Sequence, residues 1–301
     1  MTFKVIKPGY FSTIQDYGRW GYAGYGMSQS GAMDEHAYCW ANKLLNNHFN
    51  DAVLEITFGG VQLIALVDTV VITTGADLNF TINNQTAPMW QNIKISNGDL
   101  LSWGMPKSGI RSYFSVKGGF DVAQSFNSKS VNLRENIGQK LMQGDELNCN
   151  AHQYSIHKMI PRHYIPNYNN HCQLRLLPTY QFDEFNSHQK KLLFNQTYRI
   201  SPANDRTGCR LKGQPIILLK QSSISEGISY GCVEISNDGM PIILLKDSPT
   251  IGGYPKIGTV FSLDLALLAQ QQTNAKVRFQ AIDMATAQQK RAEFNIFFGI
   301  E

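Results

Sequence analysis

Long apolar runs, charge blocks and paired cysteines are all missing from this 301-residue chain, and each absence removes a class of function. The longest apolar stretch, Val61–Ile72, is broken by Gln62 and Asp68 and cannot cross a bilayer as a helix, so no membrane partner is expected. The opening MTFKVIKPGY places no apolar core behind its lysines and reads as a strand running into a Pro-Gly turn, which predicts no signal peptide. Basic residues number 27 against 23 acidic ones, a net charge of only +4, and they are dispersed; Lys190-Lys191 reads as a solvated helix face. Nucleic acid is therefore not the expected partner. Cys39, Cys149, Cys172, Cys209 and Cys232 form no CxxC pair and no Cys/His cluster at zinc spacing, which predicts reduced thiols, a cytoplasmic protein and no bound metal. His152, His157, His163 and His171 match no zinc signature either. Lys158-Met159 has a methionine on one side only and lies in a proline-rich stretch, so no covalent biotin is expected on this chain.

What remains is strand, glycine and turn. With 43% hydrophobic and 17% charged residues the composition is that of a globular chain, long enough for two cores. A loop punctuated by Gly18, Gly21, Gly24, Gly26 and Gly31 enters a helix near Met33 or Asp34, whose apolar face is Met33, Ala37, Trp40, Ala41 and Leu44. Such a loop at a helix N-terminus suits an anion, yet it has neither the GxxxxGK[ST] nor the GxGxxG pattern of a nucleotide loop. Short strands follow: Val61–Ala65, Val70–Thr73, Leu78–Ile82, Ile93–Ile95, Leu100–Trp103 and Arg111–Val116, separated by Gly, Asn and Asp turns, as in a barrel or sandwich. Residues 151–172 are aromatic, histidine-rich and interrupted by proline, and are the best linker. Beyond them come a strand at Gln173–Leu177, helices within Phe182–Phe194, Leu263–Gln271 and Met284–Phe294, and a strand at Val277–Ala281. GQPIILLK at Gly213–Lys220 returns 26 residues later as GMPIILLK at Gly239–Lys246, which predicts two equivalent or neighbouring strands of one barrel.

The second copy runs into Asp247–Gly258, DSPTIGGYPKIG. Gly252 and Gly253 bare the backbone, while Asp247, Tyr254 and Lys256 set an acid, a phenol and a cation around it. Two readings fit this composition: the floor of a site, or a glycine bulge in a barrel wall.

FSTIQDYGRWGYAGYGMSQSGAMDEHAYCWANKLL, LEITFGG at Leu54–Gly60, GIRSYFSVKGGFDV at Gly109–Val122, NDRTGCRLKG, ISEGISYG and DGMPIILLKDSPTIGGYPKIG together resemble the allophanate hydrolase subunit 2 family. That family also contains the C subunit of 5-oxoprolinase, the antagonist of a sporulation kinase inhibitor, and the carboxyltransferase domain of urea carboxylase. The resemblance implies a mainly β chain with a few helices, arranged as two linked cyclophilin-like β-barrel domains at residues 1–165 and 166–301. It implies partners like the A and B subunits of an ATP-dependent 5-oxoprolinase, which opens 5-oxoproline to glutamate, with ATP bound here or on a partner. The alternatives are a carboxyltransferase acting on urea or another amide with carboxybiotin from another chain, and a non-catalytic regulator that binds a partner like the B subunit.

By the same resemblance, Asp16, Arg19, Ser30, Asp34 and Glu55 in the first half match family blocks, as do Arg206, Arg210, Ser225, Gly252, Gly253 and Tyr254 in the second; these are expected to bind substrate or anion. Asp247, Glu226 and Lys256 are the expected catalytic set: Glu226 or Asp247 for proton transfer, Lys256 with Arg206 for anion binding. An ion-pair network of Arg206, Arg210 and Asp247 is the structural alternative. The chain departs from its relatives where they have Arg-Gln after Asp247, reading Ser248-Pro249, and where they have Gln-Val-Pro, reading Glu234-Ile235-Ser236. Where they have GSRS it reads Asn127-Ser128-Lys129-Ser130.

Overall fold

A computed structural model describes residues 2–152, 156–169, 172–217 and 224–300. The chain separates into two compact units, one of Met1–Arg19, Ser30–Asn169 and Phe298–Glu301, the other of Trp20–Gln29 and Asn170–Phe297. In the first unit lie β1 (Thr2–Pro8), β2 (Phe11–Gln15), α1 (Glu35–Leu44), β3 (Val53–Thr57), β4 (Val61–Ala65), β5 (Thr69–Asp77), β6 (Thr81–Ile82), β7 (Gln85–Thr86), β8 (Asn92–Ile95), β9 (Leu100–Ser102), β10 (Ser108–Val116) and β11 (Glu146–Asn148). They form an antiparallel sheet in the order β11-β1-β4-β9-β6-β7 and a second in the order β2-β3-β10-β5-β8. Phe3, Val5, Leu63 and Leu101 of the first sheet meet Leu54, Ile56, Val71 and Phe114 of the second in one core.

Burial along each strand follows from what covers it. Residues of β4 alternate between buried and half-buried, as expected of a sheet with one face on a core. Every residue of β3 is buried, and so is nearly every residue of β10. The outer face of β5 and β10 is covered by α1, and Thr74 Oγ1 donates to the Ala37 carbonyl at 2.7 Å. Gly59, in the LEITFGG run, has φ 76°, and a Cβ there would stand 1.8 Å from the Gly104 carbonyl oxygen. Only glycine allows that approach.

The expected linker is not slack where it is described. Asn92 binds the Lys158 main chain in both directions and donates to the Ile156 carbonyl, while the Ile160 N–H bonds to the Trp90 carbonyl. His171 lies outside the described residues.

The second unit comprises β12 (Cys172–Pro178), α2 (Ser187–Asn195), β13 (Tyr198–Asn204), β14 (Gly208–Lys212), β15 (Glu226–Gly227), β16 (Cys232–Ile235), β17 (Pro241–Leu244), β18 (Ile251–Gly252), β19 (Lys256–Val260), α3 (Leu265–Leu268), β20 (Lys276–Ala281) and α4 (Met284–Phe298). Seven of these strands close a barrel in the order β12-β19-β16-β17-β14-β13-β20, and the parallel β12–β20 pair completes the ring. Leu174, Leu176, Ile200, Leu211, Val233, Ile243, Ile257 and Val277 are among its fully buried residues. Helix α2 starts with a reciprocal capping box between Asn186 and Gln189.

The expectation of a mainly β chain with a few helices holds, and among the described residues the closed hydrogen-bonded ring belongs to the second unit. The repeat behaves differently from its reading. Its second copy forms β17, but the described part of the first, Gly213–Ile217, is not a strand. Instead the Ile216 N–H bonds to the Gly239 carbonyl at 2.9 Å, at the turn that leads into the second copy. Similar letters thus make a barrel strand once and a bracing loop once; Leu218–Lys220 lie outside the described residues.

Candidate functional site

The five expected site residues of the first unit are buried and saturated with hydrogen bonds. Asp16 accepts from Gly18 N at 2.9 Å, Ser128 Oγ at 2.8 Å, Lys129 N at 2.6 Å and Ser130 Oγ at 2.5 Å. Arg19 donates to the Ser130 carbonyl at 2.9 Å. Ser30, held at φ 54°, accepts from Asn132 Nδ2 at 3.0 Å. Asp34 caps α1 by accepting from Ala37 N at 2.9 Å, and its other oxygen accepts from the Tyr168 hydroxyl at 2.8 Å. Its own carboxylate therefore fills the helix N-terminus that the glycine loop would offer an anion. Glu55 accepts from Met33 N at 2.8 Å and from the Tyr113 hydroxyl at 2.9 Å, with Arg111 Nε 3.9 Å from its other oxygen. Burial first, then the Glu55 charge, push the Tyr113 phenol well above its ordinary value, so it is a fixed donor here. These groups pin the loops on either side of α1. A cavity of about 370 Å³ in this unit, lined in part by Asp77, Asn79, Lys107 and Tyr168, contains none of the five.

In the second unit the expected residues fall into three groups. Arg206 and Asp247 grip each other in a two-pronged pair, Nε to Oδ2 at 2.7 Å and Nη2 to Oδ1 at 3.1 Å, both side chains buried. Their backbones are joined as well, Asp247 N to the Arg206 carbonyl at 2.9 Å. Arg210, on β14, pairs with the exposed Asp238 at 2.5 Å. Of the two roles open to Arg206 and Asp247, the geometry fits the ion pair, and it leaves Arg210 outside that pair.

The third group is built on two strand registers. β15 pairs with β18 so that Glu226 stands opposite Gly252, and β16 pairs with β19 so that Glu234 stands opposite Lys256. Lys256 Nζ lies 2.7 Å from Glu226 Oε2. The Tyr180 hydroxyl donates to the same oxygen, its ring lies under the ammonium at 5.3 Å, and Gln181 Nε2 reaches Glu226 Oε1 at 3.4 Å. The segment Thr179–Gln181 also fixes the backbone of Lys256, accepting from its N–H through Gln181 Oε1 at 2.8 Å and donating from Thr179 Oγ1 to its carbonyl at 2.6 Å.

Glu234 is the odd member. It is 5% exposed, and its Oε1 has no hydrogen-bond partner among the described residues. A Cβ on Gly252 would stand 2.5 Å from that oxygen, so the missing side chain is what makes room for the carboxyl. Burial raises the Glu234 carboxyl above its ordinary range, and Lys256 only partly opposes this. One buried cation thus faces two carboxyls, and the one without a donor is held towards its neutral form. Gly253 is not required in the same way, since a Cβ there would meet only Ser225 Oγ, at 3.7 Å. Ser225 is exposed, and Tyr254 is 38% exposed with no hydrogen bond among the described residues.

Tyr180, Gln181 and the orphan oxygen of Glu234 were not among the residues expected from sequence. The signal available for Glu234 was an acid inside the apolar strand CVEI; Tyr180 and Gln181 belong to no motif. Among the described residues no group of His, Cys, Asp and Glu could hold a metal ion, and no helix is long and apolar enough to cross a membrane. The described cysteines are free and buried, and burial pushes the Cys232 thiol up to about 11.

Residues 25–281 match the family model of the carboxyltransferase domain, subdomain A and B. The chain is 31% identical to the C subunit of 5-oxoprolinase from Haemophilus influenzae over 291 residues, covering 95% of this chain and 93% of that protein. It is 29% identical to a putative urea carboxylase of Emericella nidulans, covering 97% of this chain but 25% of the relative. The solved urea amidolyase of K. lactis superposes with a TM-score of 0.90 at 25% identity over 100% of this chain and 20% of that one.

Proposed function

Because the chain belongs to the carboxyltransferase domain, subdomain A and B, family, we propose that it is one component of a 5-oxoprolinase complex that opens the lactam of 5-oxoproline to glutamate at the expense of ATP. The supporting observation is correspondence over nearly the whole of both chains with the C subunit of a 5-oxoprolinase, 95% of this chain and 93% of that protein. Adding water across the lactam C–N bond requires a group that takes a proton from water, a donor for the oxygen that gains charge at the carbonyl, and a proton for the leaving nitrogen. Glu226 is suited to the first task, being paired with Lys256 and oriented by Tyr180 and Gln181. Lys256 is the donor for the second, and the proton taken up by Glu226 can serve the third.

The ion pairing of the two cations favours a nucleotide site elsewhere. Arg206 is paired with Asp247 and Lys256 with Glu226, so a triphosphate would meet two cations whose charge is already offset. The reading assigns the nucleotide to a partner like the A or B subunits of 5-oxoprolinase, in a cytoplasmic assembly.

The test is ATP-dependent glutamate release by this chain mixed with those two partners. Wild-type turnover is expected, with Lys256→Met lowering it by about a hundredfold or more while the complex still forms on a sizing column. Unchanged turnover in that variant refutes the site. A complex without any wild-type turnover refutes the hydrolase reading and supports a regulator. The second reading, carboxyl transfer to urea or another amide, is favoured by the close superposition on urea amidolyase. Carboxybiotin-dependent carboxylation without glutamate release would select it.

A further inference from the structure

The outer wall of the second-unit barrel carries a row of cations that no acid answers among the described residues. Arg199 on β13 stands opposite Lys212 on β14 and also opposite Lys276 on β20. The flanking residues Leu211, Ile200 and Val277 are fully buried, so the three cations share the outer face, and all three are exposed. Two residues beyond Lys276, Arg278 continues the face, with Gln173 as its neighbour on β12. Like charges placed directly opposite in a sheet destabilise it. Nothing within the described residues offsets them: none of the four cations forms an ion pair there.

Beside the row lies a cavity of about 470 Å³ lined by Cys172, Gln173, Thr197, Arg199, Lys276 and Arg278, with no carboxylate among them. That volume falls within the range of small-molecule sites, about 300–1,000 Å³. Arg278 Nε donates to Thr197 Oγ1 at 2.7 Å, which fixes the guanidinium at the rim and leaves the threonine O–H free to donate onwards. Arg199 is tethered through the Asn274 carbonyl at 3.1 Å. Three adjacent strands span only about 10 Å at the usual strand spacing. Two guanidinium forks, one ammonium and a hydroxyl within that span suit tetrahedral oxyanions better than a single carboxylate.

We infer that this cavity binds a small phosphate-bearing anion, at a site built on β12, β13 and β20 and separate from the Glu226–Lys256 cluster. The inference goes beyond the hydrolase reading and does not depend on it. A macromolecular acidic surface would need a broad, convex basic face, whereas these cations converge on a cavity of ligand size.

Calorimetric titration of the whole chain with inorganic pyrophosphate tests the site. Saturable binding of one anion per chain is expected, weakening with added salt. Arg199→Gln, Lys276→Gln and Arg278→Gln should each weaken it about tenfold, as for the loss of one charge-assisted hydrogen bond, and the triple variant should abolish it. These side chains are exposed, and removing like charges should leave thermal stability at low salt equal or higher. Lys256→Met should bind pyrophosphate as the wild type does. The inference is overturned by the absence of binding at millimolar pyrophosphate, by binding that survives in the triple variant, or by loss of binding in Lys256→Met. It is also overturned if pyrophosphate does not bind while the row retains the wild type, but not the triple variant, on a polyanionic resin, which would give the face to an acidic macromolecule.

Discussion

Replacing Glu234 by glutamine should make the protein progressively more stable than the wild type as pH rises from the carboxylate range towards neutrality. Glu234 is a buried carboxyl with one oxygen unpartnered among the described residues, and burial raises it against the pull of Lys256. An unfolded glutamate titrates at about 4.3. Below that value both states hold the proton and the substitution changes nothing with pH. Between that value and the raised one, the folded chain keeps a proton that the unfolded chain has released, so the folded state binds more protons and stability falls as pH increases. The full slope for one proton is about 1.4 kcal/mol per pH unit. Above the raised value both states are ionised and the loss stays constant. Glutamine has the same shape and no titration, so it escapes the loss and leaves a nearly constant offset. Urea denaturation of both proteins from about pH 4 to about pH 8 at fixed ionic strength measures the difference directly. A difference that does not change with pH would refute the raised carboxyl. A difference of opposite sign, with the wild type gaining on the variant as pH rises, would show Glu234 ionised and held by Lys256.

The glycine pair offers an internal contrast. Gly252→Ala drives a Cβ to 2.5 Å from Glu234 Oε1 and 2.9 Å from Ile228 Cδ1 and should cost about 1–3 kcal/mol in thermal denaturation. Gly253→Ala meets nothing nearer than 3.7 Å and should stay within about 0.5 kcal/mol; equal costs would remove the steric reason for Gly252. Asp247→Ala removes the two-pronged acidic partner of a buried guanidinium and should cost about 3–5 kcal/mol, most of it regained in the double variant Arg206→Met/Asp247→Leu. Chemical denaturation of the singles and the double measures that coupling, and a double variant as unstable as the sum of the singles would refute the pair.

How legible each part was depended on how local its cause is. The strand Val61–Ala65 could be read to the residue because one face meets the core and the other does not, so its letters alternate. Val53–Thr57 is harder to read: covered on both faces, it loses the alternation and carries Glu55 at its centre. The helix at Leu263–Gln271 shrinks to a turn at Ser262–Asp264 followed by Leu265–Leu268, and the last helix runs on to Phe298 with Ala287 its one buried residue among those described. In the candidate site, Asp247, Glu226 and Lys256 were visible as chemistry. The Arg206–Asp247 pair stood as one of two readings although 41 residues separate them, whereas the pairing of Glu226 with Lys256, 30 residues apart, had no local signal. Whether Glu234 faces Lys256 is a matter of register between β16 and β19, and a slip of one residue would turn it to the other side of the sheet.

The resemblance mixed two kinds of residue that the structure separates by their hydrogen bonding. Asp16, Asp34 and Glu55 accept from backbone N–H groups and hydroxyls on loops far apart in sequence, so changing any of them releases a loop. That hydrogen bonding gives each of them a role in folding, and a ligand would have to displace donors already in place. Glu226, Glu234 and Lys256 do not close in this way. The Lys256 ammonium pairs with Glu226 and stands opposite Glu234 in the register, Glu226 keeps a side chain 33% exposed, and one oxygen of Glu234 has no donor among the described residues. A folded chain tolerates that imbalance only where burial neutralises the second acid or a ligand completes the set. Glu234 stands opposite Lys256 in the register, so the charge around the ammonium depends on whether Glu234 holds its proton. On the proposed hydrolase reading, the ratio of turnover on 5-oxoproline to that on a linear amide, measured with the partner subunits across pH, should therefore vary in the wild type and vary less in Glu234→Gln.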